Sequence, residues 1–323
     1  MVSASLNPPA INPFERLIGQ TQAVALLTQA VARQRVAPGY LFVGAPGVGR
    51  AIAATAFAEL LFSQSNSAAL RRRIAARNHP DLLWVEPTYL HQGQRLTANA
   101  AAEAGLKRKG LPKIRLEQIR EVARFLSTPP LEVPRAVVVI ETAELMAEAA
   151  ANALLKTLEE PGKATLILIA ADQQALLPTL ISRCQTIPFV RLAPDEIAQV
   201  LTHSGHAEIL KSPEILTLAQ GSPGAAIASW QQLQALPEGL IEQVTQPLRS
   251  RREALEVARQ ITQTLDTEAQ LWLLDYLQQH HWQKALSAHV SGLLKQFEQS
   301  RKYLLSYVQP RLVWEVLMMQ LVN

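Results

Sequence analysis

The octapeptide Gly44-Ala45-Pro46-Gly47-Val48-Gly49-Arg50-Ala51 constrains the fold of this chain more than any other stretch. It follows an apolar run, Tyr40-Leu41-Phe42-Val43, and precedes Ile52-Ala53-Ala54-Thr55-Ala56-Phe57-Ala58-Glu59-Leu60-Leu61, which reads as a helix. Strand, glycine-rich turn and helix form the setting in which backbone amides and a helix N-terminus hold a phosphate. The pattern of such a loop is Gly, four residues, Gly, Lys, then Ser or Thr. Gly44 and Gly49 are in place and Gly47 lies between them, but Arg50 holds the lysine position and Ala51 the hydroxyl position. Arginine keeps the charge on a longer, planar fork, and alanine offers a metal ion no oxygen. The loop therefore keeps its shape and changes its chemistry. It reads either as a structural turn or as a site that still binds ATP or ADP without turning it over.

The rest of the chain sets the class. Leu82–Val85, Ala136–Ile140 and Thr165–Ala170 are short apolar runs, the last two continuous, as expected of parallel strands covered on both faces; Thr186–Val190 adds a shorter one. Helical patterns at Ala23–Val31, Ile114–Leu126 and Ala147–Leu158 alternate with these strands, which predicts a doubly wound α/β domain over residues 1–190. After Leu192 the strand signal stops and helices remain, punctuated by Pro213, Pro223, Pro237, Pro247 and Pro310. The expected division is an α/β domain at 1–190, a small helical piece at 191–238 and a second helical piece at 239–323. Residues 88–113, rich in Gln, Ala, Gly and Lys, read as a long surface excursion. The single cysteine, Cys184, rules out an intrachain disulfide and fits a reducing compartment. With no secretory start and no apolar run near the ~20 residues of a membrane span, the expected location is cytoplasmic.

Several stretches together resemble the bacterial clamp-loader ATPases. They are Phe14–Gln20, the Gly44–Arg50 loop, Ala151-Asn152-Ala153-Leu154-Leu155-Lys156-Thr157-Leu158-Glu159-Glu160-Pro161, Ser182-Arg183-Cys184, Gly221–Ala226 and Gln309–Glu315. The resemblance implies an AAA+ fold: an α/β P-loop domain with a parallel sheet, a small helical lid, and an all-helical collar that assembles a five-subunit ring. It implies partners of the ATPase gamma/tau type and delta type, and through them the sliding clamp, the polymerase and primed DNA.

The same resemblance assigns roles that this chain departs from. An aspartate and a glutamate at the end of the third strand would hold metal and orient water; Glu141 and Thr142 stand there. Glu141 could still approach a metal, whereas Thr142 cannot act as a base, and Glu144 reads as a solvated residue facing elsewhere. The polar sensor after Thr165–Ile169 is Ala170, and the arginine of the second sensor is Gly224. Five altered positions argue against hydrolysis, because loss of a base and of charge-stabilising groups each costs orders of magnitude in rate. Arg183 matches the arginine that such subunits place on a neighbour's ATP; taken alone it would read as a surface salt-bridging residue. The function implied is a non-hydrolysing ring subunit that supports clamp loading. The alternatives are an autonomous AAA+ ATPase or a divergent catalytic clamp-loader subunit.

Other candidates are weaker. The four-cysteine zinc module of related subunits would fall in Ser63–Asn78, which has no cysteine, so no metal is expected. Arg71, Arg72, Arg73 and Arg77, and likewise Lys107-Arg108-Lys109, read as a contact for DNA or an acidic partner or as a solvated face. His280 and His281 point to different faces of a helix, Cys184 reads as a small buried residue, and Trp272, Trp282 and Trp314 read as core or subunit interface.

Overall fold

The computed structural model describes residues 12–62, 68–106, 111–284, 290–306 and 308–322. In chain order the elements are α1 (Thr21–Ala32), β1 (Gly39–Val43), α2 (Arg50–Phe62), α3 (Ala68–Ala75), β2 (Leu82–Val85), β3 (Tyr89–His91), β4 (Gln94–Leu96), α4 (Ala98–Glu103) and α5 (Leu116–Leu126). They continue with β5 (Ala136–Ile140), α6 (Glu148–Glu159), β6 (Ala164–Ala170), α7 (Pro178–Ile181), β7 (Gln185–Pro188), α8 (Pro194–His203) and α9 (Pro213–Ala219). Six more helices close the chain: α10 (Pro223–Ala235), α11 (Leu240–Thr245), α12 (Arg251–Thr264), α13 (Thr267–Lys284), α14 (Val290–Leu305) and α15 (Pro310–Gln320). The described residues form two compact units. One holds Met1–Thr88, Lys113–Val200 and the turn Gly221–Gly224, and the other Tyr89–Pro112, Leu201–Gln220 and Ala225–Asn323.

The first unit is built on a five-stranded parallel sheet in the order β2-β5-β6-β1-β7. Every residue of β5 and β6 is buried, which explains why their sequences run apolar without alternation. Burial of each large side chain, such as Val137 or Ile140, contributes about 1.5–3 kcal/mol before conformational entropy is counted. α2 presents Ala53, Ala54, Ala56, Phe57 and Ala58 to the interior, and Tyr40 meets Phe57 edge-on at 5.0 Å between ring centres. Register decides where the loop lies: Val43 pairs with Ala170 on one side and Pro188 on the other. The residue after β1 is thus Gly44, at the C-terminal edge of the sheet, where ligands bind in open α/β folds.

Residues 88–113 are more ordered than their composition suggested. β3 and β4 form a hairpin with Tyr89 opposite Leu96, and the Thr97 hydroxyl caps α4 by accepting from the Ala100 amide at 3.3 Å. Thr88 and Lys113 exchange two backbone hydrogen bonds of 3.0 Å. Lys107-Arg108-Lys109 lies outside the described residues.

The second unit has its own core from α11 to α15, including Leu240, Val257, Ile261, Leu273, Leu277, Phe297, Trp314 and Leu317. Trp314 is fully buried, and its indole N–H donates to Gln270 Oε1 at 2.9 Å while Gln270 Nε2 donates to the Leu265 carbonyl at 2.9 Å. Trp272 is half-buried and Trp282 is 58% exposed, so the three tryptophans have three different environments.

Candidate functional site

The glycine loop folds as its spacing requires. Gly47 (φ 80°) and Gly49 (φ 102°) adopt left-handed backbone that a side chain would strain. A Cβ on Gly49 would lie 2.6 Å from Leu17 Cδ1. Three successive carbonyls of the loop have donors from within the same unit. Pro46 O accepts from Ser222 Oγ at 2.6 Å, Gly47 O from the Gly224 amide at 3.0 Å, and Val48 O from Gln20 Nε2 at 3.2 Å. The buried Gln20 amide also donates to Val190 O (2.8 Å) and accepts from Val190 N (3.0 Å), tying the loop to the chain beyond β7.

Arg50 opens α2, and its Nη1 is buried without a hydrogen-bond partner among the described residues. Burial pulls the guanidinium down from its ordinary value, and the charges of Glu144 and Glu141 act in the opposite direction. Glu144 is not the solvated residue expected from the sequence. It is half-buried in a short 3₁₀ turn (Ala143–Leu145), and its Oε1 accepts from the Ala171 amide at 3.1 Å. The turn that follows β5 folds the side chain back toward β6, which a spacing of three residues does not disclose.

Glu141 is engaged elsewhere. Arg77 Nη2 donates to Glu141 Oε1 at 3.0 Å, the same guanidinium pairs with Glu86, and it stacks over the Trp84 ring at 4.1 Å. Burial pushes the Glu141 carboxyl up, and the Arg77 charge pulls it down. Thr142, at the position of the expected base, sits in left-handed backbone (φ 51°, ψ 54°). The residues beside the loop therefore do not fit a magnesium ion. Ala51 and Ala170 supply no ligand, and Glu141 is held by Arg77.

Arg183 lies just past α7, where Nη2 donates to Glu159 Oε1 at 2.7 Å and Nη1 to the Thr179 carbonyl at 3.0 Å. The pair is exposed, 37% for the Arg183 side chain and 51% for Glu159. Both residues come from stretches singled out in the sequence, and the fold brings them together. Burial pushes the adjacent Cys184 thiol up to about 11, which leaves it protonated and inert at neutral pH.

The arginine cluster is largely used internally. Arg71 pairs with Glu59 at 2.5 Å, Arg73 grips both oxygens of Glu132 at 2.7 and 3.0 Å, and Arg77 bridges Glu86 and Glu141. Carboxylates on distant segments neutralise a run that looks basic in sequence. No group of three or more His, Cys, Asp or Glu residues able to hold a metal ion occurs among the described residues. No described helix is long and apolar enough to cross a membrane. Sequence reasoning missed Gln20, Ser222 and Glu144 as partners of the loop region. Gln20 and Ser222 stood inside matched stretches, but their hydrogen bonds span 28 and 176 residues.

A parallel β2-β5-β6-β1-β7 sheet with a glycine loop after β1 and a helical C-terminal region defines an AAA+ P-loop protein. A crystal structure of a DNA polymerase III gamma subunit-related protein from Thermotoga maritima shares this fold. It has a TM-score of 0.51 at 17% identity, over 93% of this chain and 98% of that one. The family model described as DNA polymerase III, delta subunit, matches residues 19–193, more than half of the chain. That of the cyanobacterial DNA polymerase III delta prime C-terminal domain matches residues 195–321. The chain belongs to the delta-prime family of DNA polymerase III subunits. It is 35% identical over 185 residues to subunit delta' of Bacillus subtilis, covering 55% of this chain and 50% of that protein. It is 32% identical over 219 residues to subunit delta' of Pseudomonas aeruginosa, covering 62% and 57%. The chain thus spans about half the length of the curated relatives it matches.

Proposed function

We propose that this chain is a non-hydrolysing clamp-loader subunit that lends Arg183 to the ATP of a neighbouring ATPase subunit. The observation that carries the reading is Arg183, presented at the surface next to α7 in an exposed ion pair with Glu159. Such a surface pair is worth about 0.2–1 kcal/mol, so releasing it costs little. An arginine placed on a transferring phosphoryl group contributes about 10³-fold or more to the rate. The ion pair with Glu159 is therefore a small obstacle beside the transition-state stabilisation such an arginine supplies.

The chain's own nucleotide positions support the other half of the reading. Ala51, Thr142 and Ala170 cannot ligate metal, activate water or sense a γ-phosphate. The organisation we infer is an α/β domain at 1–190, a lid at 191–238 and a collar at 239–323 that joins the ring. The partners are gamma/tau-type and delta-type subunits and, through them, the sliding clamp, the polymerase and primed DNA in the cytoplasm. The test is DNA-stimulated ATP turnover by rings reconstituted with wild-type chain or Arg183→Ala. Turnover at the site facing this subunit is expected to fall by about 10²-fold or more in the mutant ring; unchanged turnover removes the assignment.

A further inference from the structure

We propose that Lys163 and Arg35 flank Arg183 as two further cations that hold the triphosphate of the neighbouring subunit's ATP, a role that rests on the trans reading of Arg183. Strand order brings the three residues to one place. β6, β1 and β7 are adjacent and parallel, so all three start at the same edge of the sheet, the edge opposite the glycine loop. Lys163 immediately precedes β6, Arg35 lies four residues before β1, and Arg183 lies two residues before β7. Neighbouring strands run about 4.8 Å apart, so the outer two of these starts are separated by about 10 Å across the sheet.

Register fixes their relative height. Gly39 pairs with Leu166, yet β6 already begins at Ala164, so Lys163 stands about 10 Å forward of Gly39 along the strand axis. Arg183 stays level with Gly39, since a Cβ on Gly39 would lie 3.2 Å from the Arg183 carbonyl. The side chain of Arg183 then reaches Glu159, and Lys163 follows four residues later, past the left-handed Gly162 (φ 60°). Charge gives the flanking residues their purpose. Glu159 and Glu160 are both exposed in this turn, so Arg183 alone faces two carboxylates at an edge that has to receive a polyanion. Lys163 and Arg35 reverse the sign of that edge. Both are exposed and form no ion pair among the described residues. Arg135, before β5, is already spent on the Ala164 carbonyl at 2.9 Å and the Thr165 hydroxyl at 3.2 Å. Cations beside the transferring group are felt equally in the ground state and the transition state, so they set ATP affinity while Arg183 sets the rate.

The test uses reconstituted rings in which only the ATPase site facing this chain turns over. ATP dependence is measured with wild type, Arg35→Ala, Lys163→Ala, Lys163→Arg and Arg183→Ala. Each of the first two variants is expected to raise KM for ATP about fivefold with kcat within about twofold, and Lys163→Arg to stay near wild type. The exposed positions predict melting temperatures like that of wild type. An unchanged KM in both Arg35→Ala and Lys163→Ala overturns the proposal, and so does an equal effect of Lys163→Arg and Lys163→Ala. A change confined to the half-saturating DNA concentration also overturns it, because the cations would then serve DNA. If Arg183→Ala lowers kcat while Arg35→Ala and Lys163→Ala match wild type, the flanking role alone fails; if Arg183→Ala leaves turnover intact, the trans reading fails and takes this role with it.

Discussion

Cys184 and Thr142 show how single residues beside the site have settled into a structural role. The Cys184 thiol, pushed up to about 11 by burial, is neutral at working pH. Alkylation by iodoacetamide at pH 8 is expected to run about two orders of magnitude slower than for an exposed thiol with an ordinary pKa. The sign of the linkage follows: the folded state binds this proton more tightly than the unfolded one. Its contribution to stability is full below pH 9.0 and is lost as pH rises toward about 11. Rapid labelling of the native protein at pH 8 would show the thiol to be accessible and ionised. Thr142 is a β-branched residue in left-handed backbone, which costs about 1–2 kcal/mol. Thr142→Gly removes that strain and adds backbone entropy to the unfolded chain, for a net stabilisation of about 0.5–1 kcal/mol. Thermal unfolding is expected to shift up by about 2 °C. A lower melting temperature would mean that the threonine side chain contributes more than the strain removes.

At the scale of elements, the buried Gln270 joins α13 to α15 and to the carbonyl that ends the turn before α13. Replacing it with leucine strands the Trp314 N–H and the Leu265 carbonyl in the core. The expected cost is about 2–4 kcal/mol by denaturant midpoint, and adding Trp314→Phe should recover part of it in a double-mutant cycle. Additive losses would show that the two side chains are not coupled. The elements themselves were largely legible in sequence. The parallel strands announced themselves through unbroken apolar runs, and the α5 helix through its amphipathic spacing. The hairpin and α4 within residues 88–113 were not legible, because two three-residue strands carry too little periodicity to stand out from polar composition. The ion pairs of the arginine run were not legible either, because Glu59, Glu86, Glu132 and Glu141 reach it only once the chain has folded.

Across the whole molecule, the proposed function joins the glycine loop, the altered strand ends and Arg183 in one division of labour. The loop's shape was readable from two glycines and a flanking strand and helix. The hydrogen bonds to its carbonyls were not, since their donors Gln20, Ser222 and Gly224 lie far from the loop in the chain. In this reading the chain keeps the AAA+ scaffold and gives up its own nucleotide chemistry while presenting Arg183 outward. The ion pair with Glu159 offers the sharpest control, because it separates a role within the chain from a role on a neighbour. The deciding measurement is DNA-stimulated ATP turnover in reconstituted rings carrying wild type, Glu159→Ala or Arg183→Ala. The expected result is near-normal turnover with Glu159→Ala, which only frees the guanidinium, and a loss of about 10²-fold or more at the facing site with Arg183→Ala. Equal turnover in all three rings, or equal losses in both variants, would contradict a trans-acting arginine.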